Sequence, residues 1–512
     1  MEIGYTRLLV IQIHTYIHPL LRQKPLYWCF IILSCSWLIL WYAGYPLPNG
    51  DDGFFTGTAI HFAKTGILYN PWIEGFYGWF STVADDRFFL QPPGHSALMA
   101  CWINIFGVSS ASLTGYACFW GWAAASSAGL LMLRWNHHTY VFGAAAVVIS
   151  LWALGRGLRP ESAGLALTLW GFLLYMQGRH ALIHILSAFL LSSAVLVHAF
   201  TLCLVIPGFI ICFLNKTSPI SIWRNRSAEC FQLTAGIMSA LLVFIWLIEG
   251  RLMDFLNDFL AHGSFVRMSQ PNPISAFYHQ IMLGYELYPN LITVCFAVVG
   301  IIWGYKVQTD HRTQVYWGLA TLLAVTIFGL LLYPRFTAAY FMLGTALLAM
   351  RIPAQGMAAR LITVIPCLSL ISWMVLEHSL QTVADRQHDH TSFSKSIYKW
   401  ADSSAYHTIL FDAATLRYIF DFRPPENSQD ITWAWSPGRS LRWYDPQHRE
   451  AGDIWIINHG FSLKKSNDSS VEGVLVLAGR TFRSIHSRKT VLIYAGKSGN
   501  DTAVSLESIT SP

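Results

Sequence analysis

The sequence predicts a polytopic α-helical membrane bundle followed by a C-terminal soluble domain of α/β or α+β type. Three observations carry this. The 512 residues are 54% hydrophobic and only 12% charged, about half the charge of an average soluble chain. Their mean hydropathy is +0.41. Apolar runs of roughly 16 to 22 residues recur along the first three quarters of the chain, and about 20 helical residues cross a hydrocarbon core. Aromatic residues make up 15% of the chain, as expected where Trp and Tyr line both membrane interfaces. The net charge of +6 then reports on membrane orientation and gives no reason to invoke nucleic acid.

Taken in order, the apolar segments are 26–43, 95–107, 112–133, 139–155, 162–178, 181–198, 200–214, 232–249, 290–305, 316–333, 336–350 and 360–377. Arg7, Arg22 and Lys24 precede the first, but no small-residue cleavage site follows it, so it is expected to be a retained helix. Segment 95–107, "HSALMACWINIFG", is too short to cross and fits an interfacial or re-entrant helix. With it removed as a span, Arg134, Arg179, Lys216, Arg224, Arg226, Lys306, Arg312, Arg351 and Arg360 all fall on the cytoplasmic side, as the positive-inside rule requires. About eleven spans result, with the tightly joined 181–214 pair the least distinct. A long first outer loop, 44–111, contains the interfacial helix, and the 250–288 loop faces the same side.

The chain changes character near residue 380. Residues 1–379 form the membrane domain and 380–512 the extracytoplasmic one. "HTILFDAATLRYIF", "GDIWIINHG", "VEGVLVLAGR" and "KTVLIYAG" are short β-branched runs broken by Gly, Asp and Asn, which is strand patterning. The nine cysteines lie in or beside apolar runs and none in the tail, so neither a disulfide framework nor a zinc pattern is expected. His388 and His390 in "RQHDHTSF" have no further close ligand.

The outer face gathers the chemistry. "NGDDGFFTG" opens the first loop with Asp51 and Asp52, "ADDRFF" supplies Asp85, Asp86 and Arg87, and "LQPPGHSALMA" ends it with His95. Between them "YNPWIEGFYGWF" is aromatic enough to lie on a lipid surface. Asp51 and Asp52 follow Pro48, Asn49 and Gly50, so they suit a helix N-cap as well as an acid at work. Asp85 and Asp86 read as turn residues and His95 as an interface residue, with a place on the acceptor side of the site as the alternative for all three. A second outer element, "GRGLRPESAGL", brings Arg156, Arg159 and Glu161 to the bundle's mouth. There Pro160 and Glu161 suit the first turn of a helix. In "LLYPRFTAAYF", Arg335 sits at a Pro-marked break between two spans.

Carboxylates and arginines at membrane depth suit a lipid-linked phosphate. Arginine forks bind phosphate oxygens bidentately, and a nearby carboxylate can take a proton from an attacking hydroxyl or amine. A phosphate already charged at neutral pH leaves with cationic help more than with a general acid.

These motifs resemble the GT-C class of polytopic glycosyltransferases, and within it the branch of protein O-mannosyltransferases and aminoarabinose lipid A transferases. The likeness rests on Asp51-Asp52-Gly53-Phe54-Phe55, on Gln91-Pro92-Pro93-Gly94-His95, and on Arg159-Pro160-Glu161. Gln91 and Gly94 stand where the family more usually has His and Leu. The resemblance implies inverting transfer of a sugar from a polyprenyl-phosphate donor on the extracytoplasmic face of a bacterial plasma membrane. Its acceptor would be a lipid, glycan or protein. It aligns Asp51 with the family's catalytic acid and Asp52 with its neighbour. It makes Glu161 a second catalytic candidate, and Arg159, Arg335 and Arg87 candidate donor-phosphate ligands. It also implies no cofactor, since lipid-monophosphate users generally need no divalent metal. The rival class is a transporter or flippase of lipid-linked sugars. That class calls for ionisable residues at the membrane midplane, whereas here the polar groups crowd one face.

Overall fold

Lys24–Tyr42 form the first helix, α1, a mostly apolar run whose one proline, Pro25, stands in the first turn where its missing N–H is tolerated. In this computed structural model the described residues are 24–44, 46, 52–70, 86–136, 139–154, 156–177, 180–216, 226–268, a few positions between 320 and 343, and seven strands between 409 and 496. Asp52–Thr65 are α2, which ends at Gly66 with φ 73°, the left-handed conformation glycine adopts without penalty. Gly94–Phe106 are α3, entered through Pro93 and closed by Gly107. The bundle continues with α4 (Ser110–Asn136), α5 (Thr139–Leu154), α6 (Pro160–Gln177) and α7 (Ala181–Val197). A 3-10 turn, Ala199–Thr201, leads into α8 (Leu202–Lys216), and α9 (Arg226–Leu247) and α10 (Leu252–Met268) follow.

Small residues let these helices approach closely. Ala123, Ala124, Ala125 and Ala128 of α4 meet Ala145 and Ala146 of α5 in one buried cluster, the packing expected where apolar solvent gives no drive toward association. Gly121 receives the Trp37 ring, since a Cβ there would lie 2.2 Å from its Cη2. That ring's Nε1 donates to Ser150 Oγ at 3.2 Å and so ties α1 to α5. The outward sides of α1 and α9 present Trp28, Ile39, Phe231, Leu242 and Trp246, large apolar groups that suit lipid contact. Among the described residues, two helices are long and apolar enough to cross a membrane, Ala111–Arg134 and Ser227–Leu247. Four shorter apolar helices run over Leu26–Tyr42, Val141–Leu154, Ala181–Val197 and Ala199–Ile211. The segments expected at 290–305 and 360–377 lie outside the described residues, as do most of 316–333 and 336–350.

α3 lies across one end of the bundle. With 13 residues at about 1.5 Å each it falls short of a hydrocarbon core. Its His95 and Trp102 both meet Tyr116 of α4, and Trp102 Nε1 donates to Ser112 O at 2.9 Å. A helix running antiparallel to α4 would bring its two ends to different levels of that neighbour; both ends of α3 stay near the start of α4. Ile105 and Phe106 at its far end are exposed.

The start of α3 touches the end of α7 backbone to backbone. A Cβ on Gly94 would lie 2.6 Å from Leu196 O and 2.8 Å from Leu196 C, which accounts for glycine in place of the bulkier residue. Gly94→Val is expected to cost about 1–3 kcal/mol, read as a lower thermal midpoint of the detergent-purified protein; an unchanged midpoint would mean this contact is dispensable.

In the C-terminal region Ile409–Phe411 (β1), Ile431–Trp433 (β2), Ile454–Asn458 (β3), Ser470–Val471 (β4), Val474–Leu477 (β5), Arg480–Ser487 (β6) and Val491–Gly496 (β7) form one sheet. Its order is β2-β1-β3-β7-β6-β5-β4. β2, β1 and β3 are parallel and the others antiparallel. The parallel pairs need crossover connections, whereas β5-β6-β7 is a meander.

Candidate functional site

The described segments 86–95, 156–159, 198–201 and 248–251 come to the same end of the bundle. Contacts between these segments confirm that they share an end. His95 Nε2 donates to Leu158 O at 2.8 Å, and Arg87 reaches Glu249 across 162 positions of sequence.

Between these segments lies a narrow, partly open cleft with a cavity volume of about 30 Å³, roughly the space of one water. Phe55 of α2, Gln91 and Pro92 before α3, Arg159, His198, and Phe259 with His262 of α10 line it. Asp52 opens α2 one turn before Phe55, which lines the cleft. This position serves an N-cap and a cleft-side acid equally well.

Arg159 and Glu161 are both buried, with side chains 5% and 3% exposed. Arg159 Nε and Nη2 donate to Glu161 Oε1 at 2.9 and 2.8 Å. Glu161 Oε2 is buried and has no hydrogen-bond partner among the described residues. Pro160 and Glu161 begin α6, where a missing N–H costs nothing and a negative charge meets the helix dipole. Arg156 lies 4.9 Å over the Trp152 ring, a cation–π contact. Opposite, His198 Nδ1 is hydrogen-bonded to the Tyr340 hydroxyl at 2.7 Å.

His95 sits behind the cleft wall at 1% exposure. Its ring meets Phe55 edge-on at 5.1 Å between centroids. Tyr116 OH lies 3.3 Å from Nδ1. Burial pushes the imidazole pKa down to about 4, so the ring is neutral at pH 7. The carbonyl on Nε2 then requires the Nε2–H tautomer and leaves Nδ1 to accept from Tyr116.

Arg87 and Asp86 stand outside the cleft lining. Arg87 Nε and Nη2 donate to Glu249 Oε1 and Oε2 at 3.2 and 2.8 Å, and Nη1 to Asp86 Oδ2 at 2.9 Å. Arg251 Nη1 donates to Asp86 Oδ1 at 2.9 Å, and its Nε to Asp254 Oδ2 at 2.7 Å. Slight desolvation works against the Asp86 carboxylate, but the hydrogen bond from Arg251 and the charges of Arg87 and Arg251 outweigh it and hold its pKa below the ordinary 3.8. A carboxylate with a depressed folded pKa adds stability above its unfolded pKa and loses it as the pH falls through the folded one. Acidification below about pH 4 is therefore expected to loosen this junction. The contribution is under about 1 kcal/mol, because the Asp86 side chain is 61% exposed. Unfolding midpoints from pH 6 to 3 should show a wild-type acid component that Asp86→Asn lacks.

Of the residues singled out from sequence, Arg159, Glu161, His95 and the start of α2 at Asp52 come together. Arg87 and Asp86 join a separate ionic junction beside them. Asp51, Asp85 and Arg335, with His388 and His390, lie outside the described residues. Glu249, Arg251, His262 and Phe259 went unmarked in the sequence reading, and only the outward placement of the 250–288 loop hinted at them. Among the described residues no group of three or more His, Cys, Asp or Glu could hold a metal ion.

No family model matches the chain, and no curated protein matches it in sequence. Four solved chains match in structure. Among them is the crystal structure of ArnT from Cupriavidus metallidurans bound to undecaprenyl phosphate, to which this chain is similar at 11% identity and a TM-score of 0.30, over 92% of this chain and 98% of that one. A likeness at that score carries no inference about the site, which rests on the geometry above.

Proposed function

We propose that the chain transfers a sugar from a polyprenyl-phosphate donor to an acceptor at the extracytoplasmic face of a bacterial plasma membrane. One observation carries the reading. A buried arginine–glutamate pair, Arg159–Glu161, stands at a cleft whose other walls are the acid-led helix α2 and the entry to the short transverse helix α3. A buried guanidinium in weak competition with water binds a phosphate oxygen strongly. The short helix α3, with Ile105 and Phe106 exposed at its far end, supports reading this cation as lying near a lipid headgroup. Asp51 acts as the base that takes the acceptor's proton as the new glycosidic bond forms and the lipid phosphate leaves with the bond's electrons, which inverts the anomeric centre. Asp52 supports it, and Glu161 holds Arg159 and offers Oε2 to a sugar hydroxyl. Arg335 is a second phosphate ligand in this reading, and Asp85 belongs to the acceptor side. The acceptor is a lipid, glycan or protein, and no metal takes part.

The test is transfer from radiolabelled polyprenyl-phosphate-sugar in membranes holding the full chain. Label is expected in a new product. Movement of the labelled lipid across the bilayer without transfer would overturn the enzyme reading in favour of a flippase.

A further inference from the structure

Burial and hydrogen bonding give His95 a place that no contact with substrate requires. It is 1% exposed, and it stands where four parts of the site meet. Its own helix, α3, carries it. Phe55 of α2 packs edge-on against its ring, Tyr116 of α4 holds Nδ1, and the carbonyl of Leu158, the residue before Arg159, accepts from Nε2. We propose that His95 is a positioning residue: it sets the reach of Arg159 toward the donor phosphate by fixing the 156–159 turn against the acid-bearing helix. This rests on the glycosyl-transfer reading for its kinetic consequence, though not for its structural one.

Within the turn, Arg156 N–H donates to Ala153 O at 3.0 Å and Arg159 N–H to Arg156 O at 3.2 Å, both local, and Glu161 holds the Arg159 guanidinium. The bond from His95 to Leu158 O reaches instead to another helix, and its loss would free the turn to shift away from α3. Arg159 moves with it, because one peptide unit separates the two residues. A shift of about an ångström at a phosphate-binding fork costs heavily in a pre-organised site.

The chemistry of the ring makes the role testable by atom. A glutamine amide reaches the place of Nε2 and can donate to Leu158 O. An asparagine amide reaches the place of Nδ1 only. A passive filler would not distinguish them, whereas a positioning residue would.

The experiment compares His95→Gln, His95→Asn and Tyr116→Phe in the purified full chain, with three readouts: thermal midpoint, binding of unlabelled polyprenyl phosphate, and transfer KM and kcat. His95→Gln is expected to bind the lipid phosphate within about threefold of wild type, and His95→Asn about tenfold more weakly or worse. The transfer KM for the donor should follow the same order. Tyr116→Phe, which leaves the Leu158 bond in place, should stay near wild type in binding. Equal losses in the Gln and Asn variants, or binding unchanged in all three, would overturn the assignment. A wild type that binds lipid phosphate in this order but transfers no sugar would overturn the glycosyl-transfer reading and leave the positioning role standing.

Discussion

Asp51→Asn is expected to lower sugar transfer by about a hundredfold or more, with the protein still inserted at wild-type level. Asparagine keeps the size and the capping ability of the residue but has no lone pair basic enough to take the acceptor's proton. The comparison therefore separates the two roles that this position suits. If the acid merely caps α2, the asparagine variant loses little, since Asn caps as well as Asp. Asp52→Asn is expected to fall less far than Asp51→Asn, because Asp52 already belongs to the helix. Initial rates in membranes, normalised to protein level, measure both. Full rates in both variants would remove the acidic pair from the mechanism.

Glu161→Gln is the second large effect, and it falls on stability as well as activity. The Arg159 side chain is 5% exposed, and without the carboxylate its charge is left buried with weaker compensation. Breaking such a pair on one side costs about 3–5 kcal/mol. Replacing both partners, as in Arg159→Met with Glu161→Leu, removes both charges at once and should restore most of that loss. It is not expected to restore donor binding, which on the proposed reading uses the guanidinium. The diagnostic pattern is a single variant that is unstable and weakly active, beside a double variant that is stable and inactive. Thermal midpoints together with lipid-phosphate binding reveal it; a double variant that still binds the lipid would place the phosphate elsewhere.

Much of the local structure was legible in the residues themselves. Among the described residues, the apolar runs up to residue 249 became helices with ends near those expected, the short segment 95–107 forms a separate 13-residue helix, and the four β-branched runs of the tail each contain a strand. β6 escaped notice because "RTFRSIHS" has no apolar run, and partners on both sides rather than composition make it a strand. The site was half legible. Arg159, Pro160 and Glu161 declare themselves because a charged pair at a helix start within an apolar chain is costly and local in sequence. The junction of Asp86 and Arg87 with Glu249 and Arg251 does not, because its partners are more than 160 positions apart and each alone looks like an ordinary solvated charge. His95 is misleading for the opposite reason. It stands beside a motif, yet it is buried and bonded to the carbonyl of Leu158, a partner 63 positions away that its own segment does not reveal. Gly94 depends on a backbone approach from α7 that no spacing within its own segment reveals.

The corner that joins α9 to α10 has a consequence for motion. Glu249 adopts φ 54°, followed by Gly250 at 75°, and a non-glycine residue in that region costs roughly 1 kcal/mol. A second glycine would relieve the backbone but would release Arg87. The chain keeps the charge and tolerates the strain, so the corner acts as a stiff bracket and not as a hinge. Phe259 and His262 lie on the arm that this bracket carries, and Gln91 and Pro92 lie just past its tether. The Arg87–Glu249 and Arg251–Asp86 bonds thus tie the start of this arm to the stretch of chain that leads into Gln91 and Pro92, so two walls of the cleft share one ionic fastening.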